Sequence, residues 1–424
     1  MQSNRNVLRT SGKVIAALLV ASTTLFAQRV EDYAMQVDST ERTCANLVDS
    51  GTWTTFANYM NGVGTTKTLA QVLTDLNQTA PQLTSANHPT VDGYIDGVQY
   101  SSGDVSTEIW APQGLAEDKS GSINYHIVGW GMTNANSGSH TQEWPNGSRI
   151  SVMNTTSTSN VTYRNVILVV PTGNQTYKAA LYHAGGVAIW GHYLYVTQTT
   201  VGIHVFDLNN FKQIYGNTSY CQESDHFTGI FGNKGGNWCA DGYGYMLPEV
   251  AMYSLSGSCA PKVDWLNQDL RPSTNLLITG EYCNNGSDTC RGDSTGLNGR
   301  MYQWQMGSDD KLITSGGKAT PTKVYYMNER NVQGAAPDYL SGEPTDSYFL
   351  TSSRHNQSIF KVSPVATAHY TTNVLQHPEG IHATATTQHV WYVNEGTRNA
   401  DNSLHTDPKD GGRVLIMIDQ YAIN

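Results

Sequence analysis

From about residue 110 the chain alternates short apolar runs with polar, glycine-containing breaks. Tyr193-Leu194-Tyr195-Val196 and Val390-Trp391-Tyr392-Val393 are aromatic and β-branched, and each is too short for a helix. Runs of this kind bounded by turn residues predict strands. A further strand then ends in an acidic turn, as in Gly202-Ile203-His204-Val205-Phe206-Asp207 and Arg413 to Asp419. Similar openings precede these groups: Ala111-Pro112-Gln113-Gly114-Leu115, His183-Ala184-Gly185-Gly186-Val187, Asn331-Val332-Gln333-Gly334-Ala335 and His377-Pro378-Glu379-Gly380-Ile381. A less similar fifth is Val263-Asp264-Trp265-Leu266, followed by Leu276 to Gly280 and Arg300 to Trp304.

Repeated four-stranded meanders are the pattern of propeller blades. The chain is therefore expected to be all-β, a β-propeller of five blades with six or seven left open. The openings fall near residues 112, 183, 263, 333 and 377, and only the last interval has ordinary blade length. The inner glycine has a reason in this fold: innermost strands crowd a central channel, where a missing side chain permits close backbone approach. A β-sandwich would not repeat one opening in every unit. The last strand, Val414 to Asp419, should pair within the final blade, and a segment before Trp110 should close the ring.

The first 105 residues read differently. Arg5, Arg9 and Lys13 followed by the apolar stretch Val14 to Ala27 predict a signal peptide over 1–27, too short to span a bilayer. Residues 28–105 are expected to be an N-terminal extension packed beside the propeller domain, 106–424. Helical spacing is present in Thr66 to Leu76, with Leu69, Val72, Leu73 and Leu76 on one face.

Composition agrees with short strands and polar turns. Charged residues make up 14% while Gly reaches 40 and Tyr 24, which suits strands and not salt-bridged helices. The net charge of −10 repels a phosphate backbone, so nucleic acid is not an expected partner. Once the leader is removed, no membrane association is expected either. Six cysteines fit an oxidising compartment. The expected pairs are Cys283 with Cys290 across a hairpin, Cys221 with Cys239, and Cys44 with Cys259, one of 15 possible connectivities. Sequons at Asn77, Asn146, Asn154, Asn160, Asn174, Asn217, Asn285 and Asn356 fit a glycosylated, secreted, extracellular product.

The segment His183 to Leu208, with Leu277 to Tyr282, Val332 to Ala335 and His377 to Gly380, resembles secreted propeller-like proteins of filamentous bacteria and fungi. The likeness spans residues 110 to 422 and implies secretion and a propeller body. It implies no catalytic residue, so chemistry must be argued from the site.

Residues opening the innermost strands should form a ring at one end of the channel: Gln113, His183, Asp264, Gln333, His377 and Glu379. His183, His377, Glu379 and Asp264 are the candidate catalytic groups, able to move protons at a bound sugar or ester. Gln113 and Gln333 are candidate binding groups, with Trp144 and Trp238, placed in loops, as stacking platforms for sugar faces. The plainer alternative is that these polar groups satisfy strand ends. Glu281 and Glu395 stand at matching places after second strands, as a carboxylate pair for glycoside hydrolysis or as turn residues accepting backbone N–H bonds.

No cofactor is expected. Asp401, Asn402, Asp407 and Asp410 offer hard oxygens suited to calcium, but their spacing matches no EF-hand, and a solvated loop is the plainer reading. Arg291-Gly292-Asp293 is a three-residue match that carries little. The expected function is a secreted carbohydrate-active enzyme, a polysaccharide lyase or glycoside hydrolase on an extracellular glycan. A non-catalytic lectin or cell-wall-associated binding protein is the alternative.

Overall fold

The computed structural model describes residues 35–132, 147–222, 229–271, 274–283, 299–327, 329, 331–340, 346–353, 358–364, 369–371, 374–397 and 403–423. The segment 1–27 expected to be a signal peptide, Trp144, Cys290, Arg291 to Asp293, Asp401, Asn402 and the sequon asparagines Asn146, Asn285 and Asn356 lie outside these residues.

The protein is a β-propeller of five blades. Blade 1 runs from its innermost strand outward through Trp110–Ser120, Ile123–Met132, Arg149–Asn154 and Val161–Gly173. Blade 2 is Val187–Trp190, Tyr193–Gln198, Gly202–Asp207 and Tyr245–Ser256. Blade 3 is Trp265–Asp269, Leu276–Gly280, Arg300–Gln305 and Lys323–Tyr326. Blade 4 is Val332–Pro337, Tyr348–Ser352, Ser358–Val362 and His369–Thr371. Blade 5 is Pro378–Thr384, His389–Asn394, Val414–Asp419 and, outermost, Tyr94–Gln99. Each innermost strand packs on the next, and the fifth packs on the first. The expected closure is thus present: a strand preceding Trp110 completes the blade that ends the chain, which removes an open edge.

Every blade is buried on both faces, so its strands carry apolar residues at odd and even positions alike. Along blade 2, Val187, Ile189, Leu194 and Val196 join the core shared with blade 1, while Ala188, Tyr195, Ile203 and Val205 join the core shared with blade 3. The same division holds in blade 4, where Leu350 and Phe360 pack toward blade 3 and Phe349 and Ile359 toward blade 5. Five apolar cores therefore alternate with five sheets.

The inner glycines behave as their position requires. A side chain at Gly114 would come 2.6 Å from Val187 N, and one at Gly380 would come 2.6 Å from Gln113 O, both on the next inner strand. Gly186 likewise abuts Trp265 and Leu266, so Trp265 stands in blade 3 where the other blades have glycine. Between the two mouths the channel is crossed by amides. Asn267 Nδ2 donates to Ala335 O at 2.9 Å and to Ile381 O, and Gln268 Nε2 donates to Glu117 O at 3.3 Å.

The N-terminal extension runs around the rim. Gln36–Val37 adds an edge to blade 3, Asn46–Asp49 pairs with the outer strand of blade 2, and Gln78–Ala80 pairs with that of blade 1. This girdle visits blades 3, 2, 1 and 5 in turn, opposite to the order of the chain that follows. Cys44–Cys259 fastens it, and Cys221–Cys239 fastens a hairpin that packs beside blade 1, both as expected. Cys283 is also disulfide-bonded. The helical expectation over Thr66 to Leu76 is corrected in part. Thr65–Lys67 is a strand, because Phe211–Gln213 offers its backbone a partner, and the helix is one turn, Leu69–Val72. That turn starts at a capping box, Thr68 with Gln71, and buries Leu69 and Val72.

Candidate active site

One mouth of the channel is built from the residues just before the inner glycines. The pairing register slips between Pro112 and Leu115, between Val332 and Gly334, and between Pro378 and Ile381. These bulges carry Gln113, Gln333 and Glu379. A bulge re-aims a side chain that regular pleating would send into a blade interface. Left-handed backbone at Ala184, Asn331 and His377, with φ of 54°, 53° and 53°, marks the same approach in blades 2, 4 and 5. Non-glycine residues in that region carry strain that clusters at functional sites. In blade 3 the place is taken by Asp264, before Trp265, and in blade 2 by Gly185.

The chemistry concentrates in blade 5. Glu379 is 2% exposed and accepts one hydrogen bond from Gln333 Nε2 at 2.9 Å. Burial pushes its carboxyl well above the usual range, and the neighbouring Glu395 carboxylate pushes it the same way. Glu395 follows the second strand of the blade, partly exposed, with its N–H donated to His377 O at 3.1 Å. Arg413 Nε donates to Glu395 O at 2.8 Å, which fixes the turn that presents it. Two carboxyl groups thus share one mouth in unequal surroundings, one desolvated and one wetted. A desolvated carboxyl keeps its proton more readily, which suits Glu379 to the role of proton donor.

Blade 3 has carboxylates at the matching places with a different role. Asp264 Oδ2 accepts the Tyr282 N–H at 2.7 Å. Glu281 is 1% exposed and accepts backbone N–H bonds from Lys262 at 3.3 Å and Arg300 at 3.1 Å. Burial raises its pKa to about 7, against the opposing charge of Arg300, whose Nη1 lies 3.8 Å away. Arg300 also meets Asp38 at 3.0 Å and Glu41 at 3.3 Å, both from the girdle. Glu281 therefore does what a buried turn carboxylate does, and it is Glu379, across the same hairpin end, that lies within electrostatic reach of Glu395.

The remaining ring residues fall as follows. Gln113 is buried, 4% exposed, beside Gly380. His183 lies over Gly185: a side chain at that glycine would come 3.3 Å from His183 Nδ1. It fills the space that blade 2 lacks at the ring position, and burial pushes its pKa down to about 4. Its loop is held by Tyr182, stacked 3.7 Å from His204 and bonded to Glu249. His377 precedes Glu379 by two residues in a left-handed conformation, and its carbonyl holds Glu395.

Trp238 is a correction. It lies on the strand Asn237–Ala240, paired with Phe231–Lys234, and its ring packs partly buried against the core between blades 5 and 1. It is held by Cys221–Cys239 next door and is not a loop platform. Asp407 caps a short turn by accepting Lys409 N–H at 2.9 Å, which accounts for one of the acidic loop residues without an ion. Among the described residues one group of three, Glu41, Cys44 and Cys259, converges closely enough for a metal. Its sulfurs form the disulfide, so no thiolate is left to ligate. From the sequence Arg300 read only as the start of a strand, not as the partner of buried carboxylates. The signal for it was the apolar strand that it opens, where a lone cation must find buried carboxylates.

No family model matches this chain, and no curated protein does. Among solved structures it is similar to a luciferin-regenerating enzyme, at 9% identity and a TM-score of 0.34, covering 78% of this chain and 95% of that one. It is similar to the GH43_1 enzyme from Xanthomonas citri complexed with xylose, at 10% identity and a TM-score of 0.33, covering 77% and 89%. An α-L-arabinofuranosidase from Clostridium thermocellum matches at 14% identity and a TM-score of 0.29, covering 72% and 88%. Likenesses this distant leave the chemistry to the site itself.

Proposed function

We propose that the protein is a secreted glycoside hydrolase acting on a neutral extracellular glycan, akin to the secreted propeller-like proteins that its repeats resemble. The observation that carries this is the Glu379–Glu395 pair at the channel mouth, with Glu379 desolvated and its pKa raised. Glu379, protonated near neutral pH, donates to the glycosidic oxygen as the bond to the anomeric carbon breaks. Glu395, the more exposed of the two, either attacks that carbon or takes a proton from the attacking water, according to the separation of the two groups. Gln333 steadies Glu379, and Gln113 offers an amide to sugar hydroxyls.

Hydrolysis is favoured over a lyase reaction on two grounds. The ring positions hold amides and carboxyl groups, Gln113, Asp264, Gln333 and Glu379, and none of the four is a lysine or arginine that would pair with the carboxylate of a uronate. A lyase base near neutral pH should titrate near that pH, whereas His183 sits at about 4.

The test is incubation of the purified chain with neutral polysaccharides and polyuronates, following new reducing ends and unsaturated uronates. Reducing ends from a neutral glycan are expected. Glu379→Gln and Glu395→Gln should each lower turnover by about a hundredfold or more while the protein stays folded. Unsaturated products would replace the hydrolase with a lyase, and binding without product would favour the lectin.

A further inference from the structure

The opposite mouth carries a second cluster that the reaction does not use. There the inner strands of blades 1 and 5 end, and a cleft of about 270 Å³ opens along the closing seam. Glu117 and His126 face each other across the blade 1 hairpin, and His382 comes from the inner strand of blade 5. Glu117 Oε2 accepts the Thr384 hydroxyl at 2.6 Å and lies 3.8 Å from His126 Nε2 and 3.9 Å from His382 Nε2.

The tautomer of His126 follows from its partners. The Thr155 hydroxyl donates to Asn124 O at 3.3 Å, so its oxygen accepts from His126 Nδ1–H at 2.8 Å. His126 Nε2 is then a bare acceptor, in a side chain 1% exposed, with no hydrogen-bond partner. It faces another acceptor, the Glu117 carboxylate, across a gap too wide for a hydrogen bond. Burial keeps this imidazole neutral, with a pKa lowered to about 4. Two acceptors turned toward each other call for a donor, and a buried polar group without a partner calls for an explanation.

The lining says which donor. Thr156, Ser157, Thr158, Thr386 and Thr387 add hydroxyls, Lys119 and His389 stand on the same lining, and Met417 with the edge of the 5% exposed Trp391 supplies a narrow apolar wall. We propose that this cleft is a second binding site, distinct from the ring, for a neutral saccharide of one or two units. A sugar hydroxyl donates toward Glu117 and His126, its neighbours exchange hydrogen bonds with the threonines, and the ring face lies on the apolar wall. The Asn267 and Gln268 amides that cross the channel separate this site from the carboxylate pair.

The experiment uses the full chain, produced without N-glycosylation so that Asn154 and Asn160 beside the cleft stay unmodified. Glucose, galactose, mannose, xylose and their disaccharides are titrated by ligand-observed NMR and calorimetry. At least one sugar is expected to bind to wild type. Glu117→Gln and Thr384→Val should each weaken it by about tenfold, since each removes a hydrogen bond of the charged cluster. Glu379→Gln should bind that sugar as wild type does. Thermal unfolding confirms that each variant is folded. Absence of binding to wild type overturns the proposal, as does binding unchanged in both cleft variants. Binding lost in Glu379→Gln but kept in the cleft variants also overturns it, by assigning the sugar to the ring. None of these outcomes depends on hydrolysis, so the reading of the ring stands or falls separately.

Discussion

Blades 3 and 5 place carboxylates at the same two positions and surround them differently. In blade 3, Asp264 and Glu281 are met by backbone N–H groups, and Glu281 also by Arg300, itself clamped by Asp38 and Glu41, against the repulsion of Asp264. In blade 5, Glu379 receives an amide hydrogen bond from Gln333 and the repulsion of Glu395. The fold repeats the position, and the neighbours decide the use. Glu281 and Glu379 are both desolvated beside a like charge; the one whose oxygens are filled by backbone N–H groups and a cation is structural, whereas the one that receives a single amide is held ready to give up a proton.

The comparison breaks most severely at Arg300. Replacing it as Arg300→Met leaves Asp38, Glu41 and Glu281 buried without their cation, and should destabilise the protein by roughly 3–5 kcal/mol. Urea unfolding measures this, and Glu281→Gln added to Arg300→Met should recover part of the loss. A variant as stable as wild type would make the blade 3 network ornamental.

A second, smaller effect is the pH dependence of stability. Glu281 has a folded pKa of about 7, above its ordinary 4.5, so the fold binds its proton more tightly. Its contribution is full below pH 4.5 and is lost as pH rises through 7, on the order of 3 kcal/mol. Wild type should therefore lose stability relative to Glu281→Gln over that range. His126 shifts the opposite way, from 6.5 to about 4, so its contribution is present above 6.5 and lost as pH falls toward 4. Melting curves of wild type, Glu281→Gln and His126→Phe across this range separate the two slopes.

The smallest effect concerns the ring's geometry. Gly380→Ala puts a methyl group against the backbone of Gln113 and Gly114 and should cost about 1–3 kcal/mol. Gly103, with nothing within 4 Å, is the control, and Gly103→Ala should change little. Equal melting temperatures for the two variants would show that the inner strands have room to spare.

Much of the fold was legible because its signals are local. The five openings mark five inner strands, and the glycine in three of them, Gly114, Gly186 and Gly380, is required by the next strand's backbone, with Gly334 in a looser fit. Gln113, Asp264, Gln333 and Glu379 were legible as ring residues for the same reason. The use of each was not, since it depends on partners distant in sequence. Glu281 and Glu395 look alike as strand-end residues, and Arg300, Asp38 and Gln333 distinguish them only once the sheets are stacked. The girdle was hidden for a related reason: Gln36–Val37 and Gln78–Ala80 are too short to read as strands and become so only by borrowing an edge. Trp238 was misplaced because a two-stranded hairpin of polar residues looks like a loop.

The central claim is that Glu379 carries a proton at neutral pH because of burial and Glu395, and that its blade 3 counterparts play no part in this. Infrared difference spectra of isotopically labelled glutamate across pH 4 to 9 read that proton directly. The account predicts a protonated carboxyl persisting at pH 7 that is absent in Glu379→Gln. It predicts a fall in the pKa of that carboxyl in Glu395→Gln and no change in Glu281→Gln beyond the loss of its own signal. A Glu379 carboxyl already ionised by pH 6, or one indifferent to Glu395, would contradict it.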